Sequence, residues 1–232
     1  MNGTYQELVR RWKALRASHG ASVREVACVG APRTLLCVEW GDVQLPAIAL
    51  AAGVHGDEPA GPWALLELVE AGVLSERFSY RIWPCTNPSG FEAGTRASAD
   101  GVDVNRTFGR GGQSPEARAI LTANRNRKFA LSVDLHEDCD AVGFYCYEYG
   151  GGAIGTAVLR ALEAAGFAID SLGRLTPDHV VEATSLGGLS YTLALARHAA
   201  KAALTFETPL QAPHEVRIGM HRTAVRAAIA AV

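Results

Sequence analysis

Nowhere in the 232 residues does an apolar run approach the roughly 20 residues that a membrane-spanning helix needs. Neither charge dominates: 22 Lys and Arg stand against 24 Asp and Glu, a formal net charge of −2. A broad nucleic-acid surface normally shows a basic surplus, so no nucleic-acid partner is expected. Cysteine is sparse and odd in number. Cys28, Cys37, Cys85, Cys139 and Cys146 fall mostly inside apolar runs, a pattern suited to free thiols in a reducing compartment rather than to a disulfide framework. No secretory signal is expected at the start of this sequence. Thr4–Ser18 instead sets Tyr5, Leu8, Val9, Trp12 and Leu15 at helical spacing among charged residues, which predicts a surface helix with one buried stripe rather than a membrane-surface helix. No repeat, linker or low-complexity segment appears. With 48% hydrophobic and 20% charged residues, the expectation is one cytoplasmic domain over residues 1–232, opened by a helix within 1–20.

Strand and helix patterns then alternate. Val23–Val29, Thr34–Trp40, Leu45–Ala52, Ser79–Trp83, Ala130–Leu135, Gly143–Tyr149 and Ala202–Phe206 read as strands. Helices are expected over Pro59–Ala71, Pro115–Arg127, Ala153–Ala165, Tyr191–Ala199 and Glu215–Ala231. Leu45–Ala52 is almost wholly apolar, as in a central strand covered on both faces. The pattern predicts an α/β fold, a three-layer α/β/α sandwich around a mixed, mostly parallel sheet. Between Pro84 and Ser114 lies a stretch of Gly, Ser, Asp and Asn read as a long functional loop.

The chemistry-bearing residues gather at predicted strand ends. His55 and Glu58 follow the central strand at a spacing that lets both face one point. His136 leaves a second strand at its carboxyl end, the edge where open α/β sheets place their sites. Two imidazoles and one carboxylate make a three-ligand zinc site, one ion per chain, with a position left open for water. Cys139 is an alternative ligand. His19, His198, His214, His221 and His179 are assigned surface or core roles. Glu207 ends the apolar run Ala202–Phe206 and is expected at the same edge, as a base for water and an acid for a leaving amine.

Gly94-Thr95-Arg96 and Gly101-Val102-Asp103-Val104-Asn105-Arg106 supply the remaining candidates. If Asp103–Asn105 is extended, both side chains share a face, and Asp103 accepts the free N–H of a ligating histidine. Asn105 and Arg106 then clamp a substrate carboxylate, and Arg96 faces a developing oxyanion. Arg110, Arg118 and Arg125 are read as solvated surface.

Taken in chain order, His55-Gly56-Asp57-Glu58, Asn87-Pro88-Ser89-Gly90, Gly94-Thr95-Arg96, Gly101–Arg106, Asp134-Leu135-His136 and Phe206-Glu207 resemble the zinc carboxypeptidase superfamily. The Gly-Thr-Arg and Asp-x-Asn-Arg pieces look most like its bacterial murein-peptide amidases. The resemblance implies an α/β/α fold and zinc on His55, Glu58 and His136. It also implies Glu207 as general acid/base, Arg96 on the scissile carbonyl, and Asn105 and Arg106 on the substrate's free carboxylate. Thr107 stands where the family often has Asn. Tyr191 is a loose positional match for a mobile tyrosine of digestive relatives, and is expected to pack instead.

Three function classes follow. The first is a zinc-dependent metallocarboxypeptidase or amidase that cuts a peptide or amide bond next to a free carboxylate by metal-activated water, its partner a small peptide or acyl-amino acid, with an N-acyl-amino-acid deacylase similar to aspartoacylase and succinylglutamate desuccinylase as its variant. The second is a non-haem iron oxygenase, which also uses two His and a carboxylate. The third is an inactive metal-binding protein.

Overall fold

The computed structural model describes residues 4–18, 20–109, 112–150, 153–175 and 188–232. His19, Arg110 and His179 lie outside the described residues.

One eight-stranded mixed sheet organises the molecule. In chain order the elements are α1 (Tyr5–Ser18), β1 (Ser22–Val26), β2 (Leu35–Trp40), β3 (Ala47–Ala52), α2 (Ala60–Glu70), β4 (Ser79–Trp83) and α3 (Pro88–Ala93). Then come α4 (Pro115–Ala123), β5 (Phe129–Asp138), β6 (Phe144–Tyr149), α5 (Ile154–Ala164), β7 (Ile169–Leu175), α6 (Tyr191–His198), β8 (Ala200–Pro209) and α7 (His214–Ala230). The strands lie in the order β1-β2-β4-β3-β5-β8-β6-β7. β4, β3, β5 and β8 run parallel to one another, as do β6 and β7; the β1–β2, β2–β4 and β8–β6 pairs are antiparallel.

Alternation along each central strand sends side chains to two different covers. Ile48, Leu50, Leu131, Val133 and Leu204 pack against α1, α2, α5 and α7 through Trp12, Leu66, Val158 and Val225. Ala49, Ala51 and Trp83 face α4 and α6 through Ile120, Ala194 and Leu195. Each of the larger apolar side chains buried in these layers contributes about 1.5–3 kcal/mol. The result is the expected α/β/α arrangement.

Three local expectations are corrected. The stretch after Pro84 is not one loop: Asn87 caps α3 by accepting from Gly90 N at 3.0 Å, and Val104–Arg106 forms a 3-10 turn. Asp103 and Asn105 are therefore not neighbours on an extended segment. Asp103 caps that turn, its Oδ1 accepting from Asn105 N at 3.0 Å, because a short carboxylate competes well for a free turn N–H. Finally, β5 runs through His136 to Asp138 instead of ending before it, and β7 adds a strand where none was expected.

Candidate metal centre and its cleft

Parallel β3, β5 and β8 end at one edge of the sheet. Ala52 pairs with Leu135 and His136 with Glu207, so the chain leaving β3 meets the ends of the next two strands. His55 and Glu58 sit in the turn between β3 and α2, before the helix begins. That turn is pressed against α3. A Cβ on Gly56 would lie 1.9 Å from the Gly90 carbonyl carbon, so glycine is required there by space alone.

His55, Glu58 and His136 are buried and offer ligand atoms all within 4.8 Å of one another. His55 Nδ1 lies 2.5 Å from Glu58 Oε1, and His136 Nδ1 lies 3.0 Å from Glu58 Oε2. The far nitrogens meet carboxylates: His55 Nε2 is 3.4 Å from Asp103 Oδ1, and His136 Nε2 is 3.0 Å from Asp134 Oδ2. Such partners favour the Nε2–H tautomer and turn the Nδ1 lone pair towards the centre. Each Nδ1 then faces a carboxylate oxygen, acceptor against acceptor, a contact that a proton or a cation between them relieves; at His55 the Arg96 guanidinium also lies against the pair. The donor set fits a divalent metal.

The electrostatics agree with that reading. Burial alone would raise Glu58, but His136 and His55 hold its carboxyl well below the usual range. Burial alone would lower His136; Asp134 and Glu58 outweigh it and push the ring well above the ordinary histidine value. Asp103 follows the same logic, held down by His55, Arg96 and Arg106 against the effect of its burial. Asp134 was missed in reading the sequence, although Asp-x-His on a strand places both side chains on one face.

A cleft of about 270 Å³ opens above the cluster, and Arg96, Asn105, Arg106, Tyr145, Tyr147 and Glu207 help to line it. Glu207 pairs across the strands with both His136 and Tyr145. Its carboxyl is pushed upward first by burial and then by Glu58, Asp138 and Asp134, with His136 opposing. Arg96 donates through Nε and Nη2 to Asp103 at 3.3 and 3.2 Å, and its Nη1 lies 3.3 Å from His55 Nδ1. Asn105 Oδ1 accepts from Tyr191 N at 3.0 Å, anchoring the start of α6. Tyr191 itself is buried edge-on against Phe108, 5.5 Å between ring centres. Cys139 is exposed at the mouth of the cleft, outside the His-Glu-His group, while the other four thiols are free and buried.

The phase of β6, unreadable from its sequence, is settled by register. Tyr145, Tyr147 and Tyr149 all turn to the cleft, opposite Glu207, Thr205 and Ala203. Tyr145 stays a neutral phenol through burial and its carboxylate neighbours, and donates to Asp138 Oδ2 at 2.7 Å.

A family model, the succinylglutamate desuccinylase/aspartoacylase catalytic domain, matches residues 44–213, a span that contains every residue of this cluster and cleft wall named above. The chain belongs to this family. Curated relatives are similar over part of the chain: carboxypeptidase SOL1 of Arabidopsis thaliana is 33% identical over 111 residues, covering 39% of this chain and 23% of that protein. Carboxypeptidase M of Mus musculus is 30% identical over 146 residues, 52% of this chain and 33% of that protein. The chain thus matches a third or less of the length of either. Among solved structures, a candidate metallopeptidase from Shewanella amazonensis superposes with a TM-score of 0.80 at 23% identity, over 96% of this chain and 91% of that one. A metallo-carboxypeptidase from Burkholderia cenocepacia gives 0.72 at 19% identity, over 96% and 67%. These two share the fold. No helix among the described residues of this family member is long and apolar enough to cross a membrane.

Proposed function

We propose that this chain is a zinc-dependent hydrolase that cuts a peptide or amide bond next to a free carboxylate. The observation that carries the reading is the convergence of His55, Glu58 and His136 beside Glu207, in a cleft that also holds Arg96, Asn105 and Arg106. His55, Glu58 and His136 would hold the ion. When bound there, zinc supplies Lewis-acid polarisation and makes water more acidic.

The protein groups divide the remaining work. Arg106 and the amide nitrogen of Asn105 bind the substrate carboxylate, since the oxygen of Asn105 is already engaged by Tyr191 N. That anchor sets the scissile carbonyl over the cluster, within reach of Arg96, which stabilises charge growing on its oxygen. Glu207 takes a proton from the attacking water and returns it to the leaving nitrogen. Glu207 lines the same cleft as the cluster, within the space where both transfers take place. Asp103 and Asp134 orient the two imidazoles. Below Glu207 the cleft wall is Thr205, Tyr147, Tyr149 and Leu193; burying a charge against it is costly. A substrate with an uncharged side chain on the carboxylate-bearing residue is favoured.

The family match supports a second reading, an N-acyl-amino-acid deacylase. Both reactions release a free amino acid, and they differ in the acyl group removed. The purified protein is assayed for zinc content and for product release from dipeptides, a murein-type tripeptide and acyl-amino acids, with ester analogues of each. Release of an amino acid from the free acids but not from the esters is expected. Zinc-loaded protein that hydrolyses none of them sinks the proposal, and oxygen uptake with iron would point to an oxygenase instead.

A further inference from the structure

Along β5, Leu131, Val133 and Leu135 face α2 and α7, and the next residue on that face is not apolar but Glu137. It is buried, though it follows the candidate ligand His136 directly. Its Oε1 accepts from Ala60 N, the first residue of α2, at 2.6 Å. Its Oε2 accepts from Arg217 Nη1, reaching in from α7. Its own main-chain N–H donates to Glu58 Oε2 at 3.1 Å. One residue therefore joins the end of β5, the start of the helix after Glu58, and the helix that covers both.

Resting on the metal-centre reading above, we propose that Glu137 and Arg217 form a buried strut that positions Glu58 and so sets the affinity of the site for its metal. Glu58 lies two residues before Ala60. Pinning Ala60 to Glu137 fixes where the Glu58 backbone sits, and the Glu137 N–H fixes the plane of its carboxylate. Arg217 holds the Glu137 side chain in that position from the opposite helix. A buried ion pair is a poor choice for stability alone, because apolar residues of similar volume often do as well or better. Arg217 Nε also has no hydrogen-bond partner among the described residues, so the pair is not optimised as a structural network. Glu137 is a positioning residue: its carboxylate is used up by Ala60 and Arg217.

The test separates affinity from stability. In the full-length Glu137→Leu/Arg217→Met double variant, no buried charge is left alone. Zinc affinity is measured by competition with a chromophoric chelator, and the stability of the metal-free protein by urea unfolding. The expected result is metal-free stability lowered by no more than about 1–3 kcal/mol, from the Ala60 N–H left unpaired, with zinc bound about 10–100-fold more weakly, the usual size of such outer-shell effects. The single variant Arg217→Lys, which retains the charge opposite Glu137, should keep most of the wild-type affinity. Wild-type affinity in the folded double variant overturns the strut. If that variant does not fold, Arg217→Met, which frees the Glu137 side chain from α7, is measured instead, and unchanged zinc affinity overturns it equally. A wild-type protein that binds zinc not at all overturns the metal centre itself, and the strut with it.

Discussion

In the proposed reaction Glu207 and Arg106 have separable tasks. Glu207→Gln preserves shape and removes the proton acceptor, so zinc stoichiometry should be unchanged while turnover falls about 10²–10⁴-fold. Metal analysis beside steady-state kinetics checks both halves, and wild-type turnover would remove the base assignment. Arg106→Met should raise KM for free-acid substrates and leave kcat less affected, since it removes an anchor rather than a reacting group. An equal loss on esterified analogues would reject the clamp. The candidate residues were legible because each needs an unusual type beside a strand end: His55, Glu58, His136, Glu207 and the Asp-x-Asn-Arg run all interrupt apolar or glycine-rich sequence. Asp134 and Glu137 were not. A lone acid in a strand carries no mark of its partner, and Glu137 is explained only by Ala60 and Arg217, the second some 80 positions away.

The elements holding these residues have their own sensitivities. Gly56→Ala forces the turn off α3, with backbone rather than a flexible side chain in the way. A destabilisation at the upper end of the single-mutant range, about 4 kcal/mol or more, is expected by urea unfolding. In α7, His221 is fully buried with Nε2 3.3 Å from Thr208 Oγ1. Burial, then His136 and Arg217, push it down to about 3. The unfolded chain, titrating near about 6.5, binds that proton more readily. Stability is therefore complete above pH ~6.5 and lost as pH falls from there towards 3, at up to about 1.4 kcal/mol per unit. Urea titrations at pH 7 and 5 should show a shallower acid loss in His221→Gln, and parallel losses would exclude the residue as a source. Helical and strand periodicity located the long elements. It missed α3, a single capped turn and a half, and β7, an Asp- and Gly-containing strand whose place comes from pairing with β6.

Across the whole molecule, the candidate centre joins segments that the chain keeps far apart, so a metal held there would be coupled to the fold. Binding only to the folded state stabilises by about 4 kcal/mol at a free metal concentration 1,000 times Kd. For a chain of this size that corresponds to a Tm difference on the order of 8–16 °C. Calorimetry of zinc-loaded and chelator-stripped protein should show it, and coincident transitions would deny the metal any site tied to the fold.

Periodicity and composition were enough to decide the α/β class, the strand ends that carry chemistry and the identities of the candidate ligands, because those depend on local pattern and on residue type. Which strands are neighbours, which way β6 turns its tyrosines, which carboxylate steadies which imidazole, and the path from Arg217 through Glu137 to Glu58 were decided only by the folded sheet. Those are relations between surfaces distant in the chain, chosen by pairing and packing energies that no single segment contains.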